Sequence, residues 1–77
     1  MTLKELILTI QKNQYISINI RDKEQPLNIK KNWWGLNDPL NPEINQYILE
    51  TLKIKDFNIE INNIVVSFGK LEINIIN

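Results

Sequence analysis

The sequence predicts an α+β fold. We expect a two-layer sandwich in which two helices cover one face of an antiparallel sheet, in the order α-β-β-α-β-β-β. Apolar residues recur at helical spacing near residues 3–10 and 44–52, and they alternate in 15–20 and again within the runs of 57–75, Val65 apart. Asn and Gly separate the C-terminal runs at intervals that suit tight hairpins. A chain of 77 residues without Cys must draw its stability from apolar burial, and 43% hydrophobic residues make one core feasible. Residues 1–77 therefore form a single domain.

Each element has a local reason. Thr2 caps the first helix, and Glu5 three residues on completes a capping box. Leu3, Leu6, Ile7 and Ile10 lie on one helical face. In "YISINI", Ile16, Ile18 and Ile20 alternate with Ser17 and Asn19, which describes a half-buried strand. "RDKEQP" reads as a loop. "LNI" at 27–29 opens a second strand, with Ile20 facing Leu27 and Ile18 facing Ile29. Asn41, Pro42 and Glu43 form a helix start. Ile44, Tyr47, Ile48 and Leu52 continue that helix to an end near residue 53.

The last third predicts three strands: 57–61, 64–68 and 71–75. Asn62-Asn63 and Gly69-Lys70 make the turns. In this register Phe57 opposes Phe68, Phe68 opposes Leu71, Val66 opposes Ile73 and Ile64 opposes Ile75. All these side chains share one apolar face. Asn58, Glu60, Ser67, Glu72 and Asn74 take the other, with Val65 and Ile76 as apolar exceptions.

Composition excludes much chemistry. There is no His and no Cys, which removes the commonest general base and thiol catalysis. Ser17 and Ser67 lie in strands rather than on a nucleophile elbow. Glu60 and Glu72, the nearest carboxylate pair, are expected to flank the central strand on the open sheet face. No enzyme activity is expected. No metal is expected either: Asn37, Asp38, Asn41 and Glu43 lack calcium-loop spacing, and turns and capping account for them. Gly35 and Gly69 fit no phosphate cradle, so no cofactor is expected. Nine basic and nine acidic residues cancel, which argues against nucleic acid as the partner. No apolar run is long enough to span a membrane, and no signal-peptide pattern opens the chain. The expected location is the cytoplasm. Abundant Asn, Ile and Lys with no Ala point to an AT-rich genome: a low-GC bacterium, or a phage or plasmid within one.

"KKNWWGL", residues 30–36, is the candidate partner-binding site. Trp is enriched at interface hot spots. Strand parity puts Leu27, Ile29, Lys31 and Trp33 on one face, and Asn28, Lys30, Asn32 and Trp34 on the other. Trp33 is then the core residue, and Trp34 the exposed one presented beside Lys30. Lys31 completes the candidate set.

The opening amphipathic helix "MTLKELILTI" and the strand "YISINI", followed by an Asn-rich α+β remainder, resemble small phage and prophage proteins, anti-CRISPR inhibitors among them. The resemblance covers about a quarter of the chain and carries no site residues over. It implies a non-enzymatic, stoichiometric inhibitor that docks on a Cas effector or surveillance complex, in the host cell cytoplasm if phage-encoded. Because the chain is not acidic, contact on a protein surface fits better than mimicry of DNA. The alternatives are an immunity protein that neutralises a toxin and a small homodimeric structural module.

Overall fold

The computed structural model describes all 77 residues. Helix α1 (Leu3–Thr9) starts at Thr2, whose side chain accepts from Glu5 N while Glu5 Oε1 accepts from Thr2 N. Those bonds, that from the Thr2 backbone first, hold the exposed Glu5 carboxyl below its ordinary pKa. The cap is therefore strongest above the ordinary carboxylate range and weakens as pH falls through the lowered value.

A helix of two turns cannot stand alone, and distant segments satisfy both of its ends. Leu3 N and Lys4 N donate to Ile59 O and Phe57 O, each at 2.8 Å. At the other end the buried Asn37 amide donates to Ile7 O and Ile10 O, both at 3.1 Å, and to Gln11 O at 3.3 Å. The free donors and acceptors of a helix terminus are thus met by protein groups. Asn37 is a helix clamp rather than a turn residue.

Strands β1 (Tyr15–Arg21) and β2 (Ile29–Leu36) form an antiparallel hairpin. Its register differs from the expected one. Ile18 opposes Trp33 and Ile20 opposes Lys31, so Leu27 lies outside the sheet and 93% exposed. The pairing slips between Ile20 and Arg21, where Arg21 opposes Ile29. That bulge moves Ile29 off the face of Trp33, because one extra residue inverts the alternation.

Helix α2 (Pro42–Leu52) begins as expected: Asn41 Oδ1 accepts from Glu43 N and Ile44 N. It ends at Lys53, which is left-handed with φ 58°. Ile48 and Leu52 are buried, whereas Tyr47 points outward.

Residues 57–61 are not a strand of the sheet, which has four strands rather than five. Only Glu60 forms a bridge, to Thr2. Phe57, Ile59 and Ile61 still turn toward the core, half-buried, so their alternation is real. Their backbone serves the start of α1 instead of a neighbouring strand. This also separates Glu60 from Glu72, which lies within β4.

Strands β3 (Asn63–Ser67) and β4 (Lys70–Ile76) form the second antiparallel hairpin. Its turn is Phe68-Gly69, with φ 50° and 73°, rather than Gly69-Lys70. Ile64 opposes Ile73 and Val66 opposes Leu71, two residues from the expected register. A shift of two keeps every side chain on its expected face, so the apolar pattern cannot detect it. The turn distinguishes the two registers: positive φ at both Phe68 and Gly69 makes it type I′ with Gly in the second central position, whereas Gly69-Lys70 would place Gly first, as in type II′.

The sheet order is β2-β1-β4-β3, and the central pair β1·β4 is parallel. The sheet is mixed, not antiparallel throughout. One face carries Ile16, Ile18, Ile20, Trp33, Ile73 and Ile75, and it forms one core with Leu3, Leu6 and Ile7 of α1 and Ile48 and Leu52 of α2. Both helices therefore cover the same face, as the α+β sandwich requires. The cover stops short of β3, where Ile64 and Val66 remain exposed.

Amide hydrogen exchange should rank these elements. The amides of β1 and β4 should exchange slowest, those of β3 faster, and residues 57–61 fastest among the apolar alternating runs. Protection of 57–61 equal to that of β1 would contradict the four-strand sheet.

Candidate functional site

The sheet face away from the helices is less wet than its residue types suggest. Asn32 of β2, Asn19 of β1, Asn74 of β4 and Asn63 of β3 occupy one row across all four strands. Asn32 Nδ2 donates to Asn19 Oδ1 at 2.7 Å, and Asn19 Nδ2 donates to Asn74 Oδ1 at 3.2 Å. Arg21 Nε donates to the same Asn74 oxygen at 2.8 Å. In the adjoining row Asn32 Nδ2 also reaches Ser17 Oγ at 3.1 Å. Ser17, Asn19 and Asn74 are 2–5% exposed, yet no buried side-chain polar atom lacks a partner. Leaving any of these amides unpaired would cost about 1–3 kcal/mol, so the floor is held rigid.

Above this floor lies an open groove of about 820 Å³, within the size range of ligand sites. Tyr15, Ile29 and Trp34 line it at the β1·β2 side, and Phe68, Gly69 and Lys70 at the β3·β4 turn. Ser17, Asn19, Asn32 and Glu72 lie between. Trp34 is 66% exposed and Phe68 is fully exposed.

The candidate residues of "KKNWWGL" are thereby separated. Trp33 is 9% exposed and belongs to the core. Its indole lies over Gly35, where a Cβ would come within 2.9 Å of the ring. The Gly following the two Trp residues therefore makes room for the first of them. Trp34 alone of the four lines the groove. Lys30 is exposed at the bulge, and its Nζ donates to Asn77 O at 2.9 Å. Lys31 opposes Ile20 on the helix-covered face and is exposed at its margin.

Sequence reasoning missed Phe68 and Tyr15. Phe68 was expected inside the apolar face and instead tips the turn. A bulky residue at φ 50° is strained, and a left-handed residue without Gly costs roughly 1–2 kcal/mol. Strain of this kind collects at functional positions. The sequence carried no signal for this turn, because Phe-Gly is not among the pairs a type I′ turn prefers and Gly69-Lys70 suits a type II′ turn. Tyr15 gave no signal beyond its place at the start of β1.

Comparison of the chain with protein-family models, curated proteins and solved structures finds no match.

The two Trp residues should respond differently to truncation. Trp33→Ala should cost about 3–5 kcal/mol in denaturant unfolding, whereas Trp34→Ala should change stability by less than about 1 kcal/mol. Equal losses would contradict the split. Phe68→Asn supplies the Asn-Gly pair that this turn prefers. It should raise stability by about 0.5–1 kcal/mol, measured as a higher unfolding midpoint; a lower midpoint would show that Phe68 is held by contacts instead.

Proposed function

We propose that this chain is a non-enzymatic protein-binding module that docks through its open sheet face. The carrying observation is the groove itself: exposed aromatic side chains at both ends of a floor of immobilised amides. Trp and other aromatic side chains supply large contact area at little entropic cost, and a rigid floor lowers the ordering cost of binding. The strained Phe68 supports the same reading, because a turn selected for stability alone would not retain it. Ser17 Oγ is bonded to Asn32, and Glu60 and Glu72 lie apart; these placements supply no acid-base pair at the groove.

The finer reading rests on the resemblance of the N-terminal helix and strand. It makes the partner a Cas effector or surveillance complex and the chain its stoichiometric, anti-CRISPR inhibitor, encoded by a phage or mobile element. No helix is long and apolar enough to cross a membrane, and we place the encounter in the host cytoplasm. The neutral chain fits contact with a protein surface rather than mimicry of DNA. An immunity protein would use the same face against a toxin.

The test is titration of the purified chain into DNA-cleavage assays with Cas effectors from low-GC bacteria. Inhibition should reach an end point at a fixed molar ratio. Trp34→Ala and Phe68→Asn should each weaken it by about tenfold or more, the range of a hot-spot truncation, while both variants stay folded. Undiminished inhibition by both variants would overturn the groove as the docking face. Binding to a toxin without effect on any effector would replace the anti-defence reading with the immunity one.

A further inference from the structure

The two edges of the sheet are finished differently. β2 carries Lys30, Lys31 and a bulge, the usual devices that keep an edge from pairing with another chain. β3 has none of them. Its residues Asn63-Ile64-Val65-Val66-Ser67 include no charge and no Pro, and Ile64, Val65 and Val66 are 42%, 43% and 74% exposed.

We propose that β3 is the contact surface for a second copy of this chain, paired antiparallel about a two-fold axis at Val65. The register follows from the hairpin. A two-residue turn makes Ser67 and Lys70 a hydrogen-bonded pair, and alternation then turns the N–H and C=O of Ile64 and Val66 outward. With Val65 at the axis, Ile64 of one copy meets the partner's Val66, and outward groups meet outward groups on both strands. Val65 meets its own copy, as a non-hydrogen-bonded pair whose side chains approach closely. Asn63 meets the partner's Ser67. Centring the axis on Ile64 or Val66 would instead draw Asn62 or the turn residue Phe68 into the pairing.

A second copy suits this edge because the strand is complementary to itself. It is neutral throughout, so no like charges meet, and its apolar side chains oppose one another on both faces. The pairing joins two four-stranded sheets into one. Trp34, Ser17, Glu72 and Val65 occupy a single row, so the dimer presents two Trp34 side chains about 34 Å apart, at strand spacings of about 4.8 Å. Two grooves on one rigid body would engage a repeated partner with avidity. The pairing does not depend on what the groove binds.

The experiment is light scattering and cysteine cross-linking on the full chain. The mass should rise from monomer to dimer with concentration. Val65→Lys should be monomeric, and so should Val65→Glu; mixing the two should restore the dimer. The chain has no Cys, so Val65→Cys introduces a single thiol. It should form a covalent dimer about tenfold faster than Val66→Cys, because only residue 65 lies opposite itself at a separation a disulfide can span. Val66 is the more exposed position, so accessibility alone predicts the reverse order. A monomer at every concentration overturns the proposal, including the case where β3 takes a strand from a different protein. Cross-linking of Val66→Cys as fast as Val65→Cys overturns the register.

Discussion

The structure depends on the parallel pairing of β1 with β4. The sheet is two local hairpins, β1·β2 and β3·β4, and this pair is their only strand-to-strand connection. A lone hairpin is marginal in water. The pairing aligns two identical tripeptides: Ile18-Asn19-Ile20 lies beside Ile73-Asn74-Ile75, residue for residue. On one face the four isoleucines are at most 2% exposed and form the centre of the core. On the other the two asparagines bond to each other. A slip of one residue would set Asn against Ile on both faces, so burial and hydrogen bonding enforce the same register.

Both faces of the central strands are therefore constrained, and the site follows from that. Helices α1 and α2 bury the isoleucine face. The amide row fixes the opposite face without any cover from a third layer. Side chains at its margins, Trp34 at one end and Phe68 at the other, then stand above a floor that does not need to reorganise. Core and groove are two sides of one pairing. The clamps on α1, from the backbone of Phe57 and Ile59 and from the Asn37 amide, serve the same end. They hold a short helix in place over strands whose apolar face would otherwise be open.

Much of the fold was legible. The capping box at Thr2 and Glu5, the Asn41-Pro42 helix start and the alternation in β1 all arise from neighbours in sequence. So does the opposite burial of Trp33 and Trp34, which needs only the parity of a strand. The lining of the groove was half legible: strand parity exposes Trp34, whereas Phe68 tips its turn instead of joining the apolar face, and Lys30 and Lys31 lie outside the groove. Registers failed where two solutions preserve parity. The β3·β4 hairpin slid by two residues and the β1·β2 hairpin closed over a longer loop, shifts that keep parity, whereas the bulge after Ile20 inverts it and moves Ile29 to the other face. The apolar run at 57–61 shows a further limit. Its alternation correctly gives the buried side, but alternation does not say which backbone will accept its hydrogen bonds.

The sequence by itself determined the α+β class, the starts of both helices, the core face of β1 and β4, and the exposure of Trp34. Those features depend on periodicity and capping, which act over a few residues. Only the tertiary structure decided that β1 and β4 run parallel, that Asn19 and Asn74 are buried in an amide row which Asn32 joins from its exposed side, and that β3 is left as a bare edge. Each of these depends on residues brought together from opposite ends of the chain. Local pattern says which way a side chain points, but the partner it meets there is chosen by the joint burial of all four strands.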